Sequence, residues 1–210
     1  MTRTPSSLPA GAVAPPDRLA LVADGGEEIE LPVGRWHGPP DEVELALLDT
    51  LPDPVIDVGC GPGRIVAALG AAGRPALGVD PSPAAVAEAA RRRAPVLARS
   101  VFGPLPGEGR WGTVLLIDGN IGIGGDPVAL LARAARLVRP GGHVVAEVEP
   151  PGAHSRAMTA RLESSRGVSP WFAWATVGAD GFEHLAEAAA LRAVGLDVGG
   201  ERWFGRAVRP

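Results

Sequence analysis

The residues richest in chemistry stand together at Val55-Ile56-Asp57-Val58-Gly59-Cys60-Gly61-Pro62-Gly63-Arg64. This is an apolar run carrying an acid, then a turn with three glycines, then a helical stretch. Glycines at such a turn remove side chains, so that a ligand can lie against the backbone outside the carboxyl end of a strand. Spacing says which ligand. A dinucleotide fingerprint needs Gly-x-Gly-x-x-Gly with the pyrophosphate on the helix N-terminus. Counted from Gly59 its last glycine falls on Arg64, and counted from Gly61 it falls on Val66, so neither register works. An acid inside the strand repels a pyrophosphate but suits a cofactor bearing an ammonium and a sulfonium, which is S-adenosylmethionine. A second acid, Asp80 in Leu77-Gly78-Val79-Asp80-Pro81-Ser82, lies 23 residues after Asp57. At the end of a second strand it can accept both ribose hydroxyls, or it can cap the helix that follows.

These residues need a frame that holds them at one sheet end. Short apolar runs recur at Val55–Val58, Ala76–Val79, Val96–Ala98, Val114–Ile117 and Val144–Val148, and helical stretches at 64–72, 83–93 and 127–138 separate most of them. Continuous apolar strands between amphipathic helices predict an α/β fold, a Rossmann-like parallel sheet with helices on both faces. Asp41, with Glu44 three residues on, reads as a capping box for a helix carrying Val43, Leu47 and Leu48. The Pro- and Gly-rich stretch 102–112 reads as loop, and the Arg91-Arg92-Arg93 run as a solvated helix end. From Trp171 the pattern gives a Trp-rich strand, a helix near 179–194, and a last strand near 201–208 as an antiparallel C-terminal edge strand. Residues 1–16, rich in Pro, Ala and Ser, read as a disordered tail. The rest, 17–210, reads as one domain, with 17–52 as a cap or lid and 53–150 as the cofactor-binding core.

Composition narrows the chemistry. The 210 residues include 29 Gly and 22 Pro, yet 46% are apolar and the net charge is only −4. All 20 basic residues are Arg; there is no Lys, Tyr or Gln. That removes a Schiff-base Lys, a Walker-loop Lys and a Tyr–Lys proton relay. The one cysteine, Cys60, can form neither an internal disulfide nor a thiolate metal cluster. No metal site is expected. With no signal-like or membrane-spanning apolar run, the sequence points to the cytoplasm, with neither nucleic acid nor membrane as partner.

At these residues the sequence resembles the class I, Rossmann-like S-adenosylmethionine-dependent methyltransferases. The match runs through the glycine loop, Gly78-Val79-Asp80-Pro81-Ser82, and the Leu137-Val138-Arg139-Pro140-Gly141-Gly142-His143 turn, over about residues 43–149. Within it, 100–127 is similar to a group of small bacterial methyltransferase-domain proteins. The resemblance implies that Asp57, Gly59, Cys60, Gly61 and Gly63 hold the methionine end of the cofactor, that Asp80 binds its ribose, and that Pro81 packs near the adenine. Where the family commonly places an Asp after the third strand, this chain has Val101. Adenine recognition then falls to Ser100, Val101 and Phe102, through backbone or the Ser100 hydroxyl. Asp118 would flank the cofactor and face the acceptor together with Asn120.

Methyl transfer is an in-line displacement at a sulfonium carbon, so holding the nucleophile in line can supply much of the rate. A general base is needed only when the acceptor must shed a proton. Asp118, His37, Glu149 and His154 are the candidates, and a reaction without a base is the alternative. Trp36, Trp171 and Trp174, with Phe172, are candidates for an apolar acceptor pocket, or for packing of the cap and edge strand. The Asn/Asp-Pro-Pro-aromatic run of family members that methylate amides and base amines is absent: Asp118-Gly119-Asn120-Ile121 stands there instead. The sequence therefore predicts an enzyme that methylates a small molecule; a cofactor-binding regulator without transfer activity is the second reading.

Overall fold

Each of the five apolar runs forms a strand, and the way their side chains alternate builds the layers. In a computed structural model, which describes residues 18–210, the chain runs through β1 (Leu19–Ala23), β2 (Glu28–Glu30), α1 (Val33–His37), α2 (Glu42–Asp49), β3 (Val55–Val58), α3 (Arg64–Ala71), β4 (Ala76–Val79), α4 (Pro83–Arg91) and β5 (Val96–Leu97). It continues with β6 (Trp111–Leu116), α5 (Pro127–Leu137), β7 (Val138–Val148), β8 (Arg156–Ser164), β9 (Gly167–Val168), β10 (Phe172–Thr176), α6 (Phe182–Ala188), β11 (Arg192–Gly199) and β12 (Arg202–Val208). The tail expected over 1–16 lies outside the described residues.

The larger sheet has seven strands in the order β11-β12-β7-β6-β3-β4-β5. β5, β4, β3, β6 and β7 are parallel, and β12 is antiparallel to β7. The antiparallel strand sits one place in from the edge, because β11 pairs outside it. Side chains alternate between the two faces as the pleat requires. Ile56, Val114, Leu116, Val144 and Ala146 pack under Leu130, Leu131, Ala134 and Leu137 of α5 and Phe182 of α6. Val55, Leu115 and Val145 face the other way, against Leu47 and Leu48 of α2 and Ile65 and Leu69 of α3. Asp57, two residues from Val55, therefore projects to the α2–α3 side.

Local sequence explains the helix starts. Asp41 accepts from the Glu44 N–H at 2.8 Å while the Glu44 carboxylate accepts from the Asp41 N–H at 3.0 Å, which closes the expected capping box on α2. Ser82 and Asp126 cap α4 and α5, each followed by a proline that suits the first helical position. The cap of α4 is thus Ser82 and not Asp80, leaving the Asp80 carboxylate for the glycine loop. Arg92 is not simply solvated: it caps α4 and donates to the His37 carbonyl at 2.6 Å, tying α1 to α4.

Two expectations need correction. The helix read over 179–194 is a 3-10 turn followed by α6, and the chain from Arg192 to Gly199 is a strand. The alanines that suggested a longer helix end at Ala190, which turns left-handed (φ 59°). The Leu191 N–H then closes on the Ala186 carbonyl. The Pro-Gly-Gly stretch, expected as a turn before the fifth strand, lies inside β7, where Gly141 and Gly142 pair with Arg209.

The second sheet was not foreseen. It is antiparallel in the order β10-β8-β1-β2, with β9 on β8, and joins the cap segment to the chain beyond β7. It packs closely on the turn after β6: a Cβ at Gly122 would lie 2.0 Å from the Ala175 carbonyl oxygen in β10. Because that neighbour is backbone it cannot swing away. Gly122→Ala should therefore cost about 3 kcal/mol, read as a lower urea midpoint, whereas Gly70→Ala, with open space around it, should be neutral or stabilising.

Candidate active site

The glycine loop is pinned from both sides. The N–H groups of Gly59 and Cys60 donate to the Val79 carbonyl at 2.8 and 3.3 Å, and the Gly61 N–H donates to Asp80 Oδ2 at 3.0 Å. From the other side the Asn120 amide donates to the carbonyls of Val58 and Gly59 at 3.0 and 2.9 Å. Gly59, Gly61 and Gly63 all have positive φ, a region that disfavours any side chain. A Cβ at Gly59 would strike Asn120 at 2.7 Å, while the space above Gly61 is open. Cys60 turns inward: its sulfur packs against Gly78, and burial pushes its thiol pKa up, so only its backbone faces the loop.

Three buried polar atoms make no hydrogen bond among the described residues: Asp57 Oδ1, Asp118 Oδ1 and Trp36 Nε1. Asp57 is 2% exposed, and burial pushes its pKa up to about 7 despite the Arg64 guanidinium. Acceptors left without hydrogen bonds on Asp57 and Asp118 suit a ligand that carries an ammonium. Asp80 accepts from the Ser82 N–H at 2.8 Å as well as from Gly61, and each of its oxygens keeps lone-pair capacity for a hydroxyl. Burial raises its pKa, and the two backbone N–H donors oppose that. Pro81 follows on the exposed turn. Four residues past β5, Val101 is buried in the core and its carbonyl accepts from Arg133 at 2.8 Å. Ser100 and Phe102 are exposed, and the Ser100 hydroxyl accepts from the Phe102 N–H at 3.3 Å. These residues, with the unpartnered atoms and the open space above Gly61, fit S-adenosylmethionine.

Asp118 sits at the centre of an ion cluster that the sequence did not disclose. Arg64 donates to Asp118 Oδ2 at 2.7 Å and pairs with Glu44. Arg202 clasps Glu147 with two bonds of 2.8 Å and reaches Glu44 at 2.9 Å and Asp41 at 3.1 Å. Arg35 lies 3.7 Å from Asp118 and 3.8 Å from Glu147. Burial raises the cost of charge on Glu44, but its bonds to Arg64, the Asp41 N–H and Arg202 overcome this and lower its pKa. For Asp118 burial prevails over Arg64, and its pKa is raised. A cation on the first residue of a helix opposes the helix dipole. Arg64 at that place was thus the signal, available in the sequence, that buried acids wait beside it.

Beyond Asp118 and Gly119 a cavity of about 270 Å³ opens between the second sheet and the carboxyl ends of β6 and β7. Leu21, Ile29, Ile121, Val148, Trp174 and Trp203 give it apolar walls. Of the four acceptor-side candidates, only Trp174 lines it. Asn120 spends its amide on the glycine loop, and Trp171 is exposed, with Arg161 stacked 4.7 Å from its ring centre. Trp36 is half-buried on α1. Of the candidate bases, Asp118 and Glu149 line the cavity. His37 packs near Glu88 and Arg92 on α4, where burial lowers its pKa, and His154 is exposed after β7. The described residues hold no group of three metal-ligating side chains and no helix long and apolar enough to cross a membrane.

Known proteins share this architecture. The chain is similar to a methyltransferase from Bacteroides fragilis solved with S-adenosyl-L-homocysteine, at 19% identity over 93% of this chain and 90% of that one, with a TM-score of 0.76. It is similar to the 1,6-didemethyltoxoflavin N1-methyltransferase of Burkholderia thailandensis, at 22% identity over 78% and 73% of the two chains, with a TM-score of 0.56. A sugar N-methyltransferase from a Streptoalloteichus species shares 25% identity over 74% and 79%, with a TM-score of 0.52. No curated protein matches the sequence. Residues 36–198, most of the chain, match the family described as the methyltransferase domain. The chain therefore belongs to the methyltransferase-domain family, the class I S-adenosylmethionine-dependent methyltransferases.

Proposed function

We propose that this methyltransferase acts in the cytoplasm on a small molecule bound in the cavity beside Asp118 and Gly119. The observation that carries the reading is the position of that cavity: a single turn, Asp118–Asn120, lines it on one side and holds the glycine loop on the other. S-adenosylmethionine, when bound, supplies a methyl group on a sulfonium whose sulfur takes back the bonding electrons on transfer. Asp57 holds its ammonium from within the sheet, Gly59, Gly61 and Gly63 give it room, and Asp80 accepts its ribose hydroxyls. Ser100, Val101 and Phe102 border the adenine through their backbone. The first two strands and α1, within residues 17–52, form the lid over the acceptor, and 53–150 forms the cofactor core.

Asp118 positions the site, with Arg64 holding one of its oxygens. Glu149, exposed and with no ion-pair partner among the described residues, is the carboxylate free to take a proton from the acceptor. A cavity of this size and a net charge of −4 suit a small molecule rather than nucleic acid.

Calorimetric titration with S-adenosylhomocysteine, with NADH as control, tests the cofactor assignment. Micromolar binding of the former alone is expected. Asp80→Ala should weaken it at least a hundredfold, since both ribose bonds and the anchor of the Gly61 N–H go together. Unchanged affinity in that variant would show that the ribose lies elsewhere.

A further inference from the structure

The cavity beside Asp118 is apolar in its walls and negative at its mouth. Glu30 of β2, Glu149 just past β7 and Glu201 in the turn between β11 and β12 line it; all three are exposed, and none takes an ion pair or hydrogen bond from another described side chain. Deeper in, Asp118 and Glu147 are met by Arg35, Arg64 and Arg202, so the inner acids are already opposed by cations. The charge left uncompensated is therefore that of the mouth. Trp174 and Trp203 stand in the walls, and indole faces attract cations, most strongly where water is excluded. Carboxylates at the mouth and indoles in the walls select the same ligand charge by independent means. A neutral ligand gains from neither, and an anionic one is repelled at entry.

We propose that the acceptor taken by this cavity is a small cationic amine with an apolar body, its ammonium drawn in past Glu30, Glu149 and Glu201 and seated against the Trp174 and Trp203 indoles. This rests on the reading of the cavity as the acceptor site. An ammonium has no lone pair, so the amine must lose one proton before its nitrogen can form the new N–C bond. A mouth carboxylate can take that proton and pass it to water. The same carboxylates then favour release of the charged product only weakly, which makes product departure salt-sensitive.

The test uses the full-length protein saturated with S-adenosylhomocysteine and follows tryptophan fluorescence during titration with three probes of one shape. Phenethylamine is the cation, phenethyl alcohol the neutral form and 3-phenylpropionate the anion. The amine should bind at least tenfold more tightly than the alcohol, with the anion weakest and added salt narrowing the gap. Glu30→Gln, Glu149→Gln and Glu201→Gln combined should erase the preference; all three side chains are exposed, so the fold should survive. Equal binding of amine and alcohol, tighter binding of the anion, no binding of any probe, or a preference that persists in the triple variant would each overturn the proposal. S-adenosylhomocysteine is titrated first and alone. If it binds and the amine preference is missing, only the acceptor class falls. If it fails to bind, the cofactor reading falls, and an amine that still binds marks a site for something other than a methyl acceptor.

Discussion

Arg64→Leu is expected to lower stability by about 3–5 kcal/mol, the range for removing one partner of a buried ion pair. The Arg64 side chain is 3% exposed and its partner Glu44 only 1%. Without the guanidinium, Glu44 keeps Arg202, but Asp118 loses its hydrogen-bonded cation, with Arg35 and Arg202 left 3.7 and 3.8 Å away, and both carboxylates face a void left by the side chain. The cost is the stranded charge and not the value of the pair itself. The double variant Arg64→Leu/Asp118→Asn should accordingly be more stable than Arg64→Leu, because it removes the carboxylate that lost its hydrogen-bonded cation, whereas Glu44 keeps Arg202 and the Asp41 N–H. Urea unfolding of the three proteins and wild type gives the cycle. A single-variant loss below about 1 kcal/mol, in the range of exposed ion pairs, would mean that the cluster is hydrated and that its burial has little energetic weight.

Asp57 should make cofactor binding depend on pH. Its ordinary pKa of 3.8 is raised to about 7 by burial. In the unliganded protein the protonated form is thus favoured by folding: that contribution is complete below about 3.8 and is lost as pH rises through about 7. A bound ammonium reverses the preference, since it needs the carboxylate ionised. Below pH 7 each binding event must therefore expel a proton, and affinity for S-adenosylhomocysteine should fall about tenfold per pH unit on going down. Between pH 7 and 8 it should level off. Calorimetry in two buffers of different ionisation enthalpy would count the released proton directly. Asp57→Asn should flatten the profile and weaken binding about a hundredfold at pH 8, in line with the loss of a buried charge-assisted bond. A wild-type affinity independent of pH between 5.5 and 7 would place the ammonium elsewhere.

The sequence by itself determined the parts of this protein that local interactions decide. Val55–Val58, the glycine loop and Asp80 announced a strand, a ligand turn and a second acid, because strand period, positive φ and an acid at a strand end each act within a few residues. The Asp41–Glu44 capping box was equally legible, since both of its bonds close within one helical turn. The resemblance to the class I methyltransferases rested on the same short stretches, and the parallel sheet followed from them.

Tertiary structure decided what depends on residues far apart in the chain. β1 pairs with β8, Leu19 opposite Ser164, and neither strand has enough apolar alternation to announce its partner. The cavity beside Asp118 forms between that sheet and the ends of β6 and β7, so Glu30, Trp203 and Glu201 could not be recognised as its lining. Glu44 was visible as a cap but not as the partner of Arg64 and Arg202, because a buried charge is understood only once its counter-ions are in place. Ala186–Ala190 shows the opposite failure: helix propensity ran on past Ala190, while pairing with β12 drew Arg192–Gly199 into a strand. Propensity is worth tenths of a kcal/mol per residue, and a paired strand with a buried neighbour outweighs it.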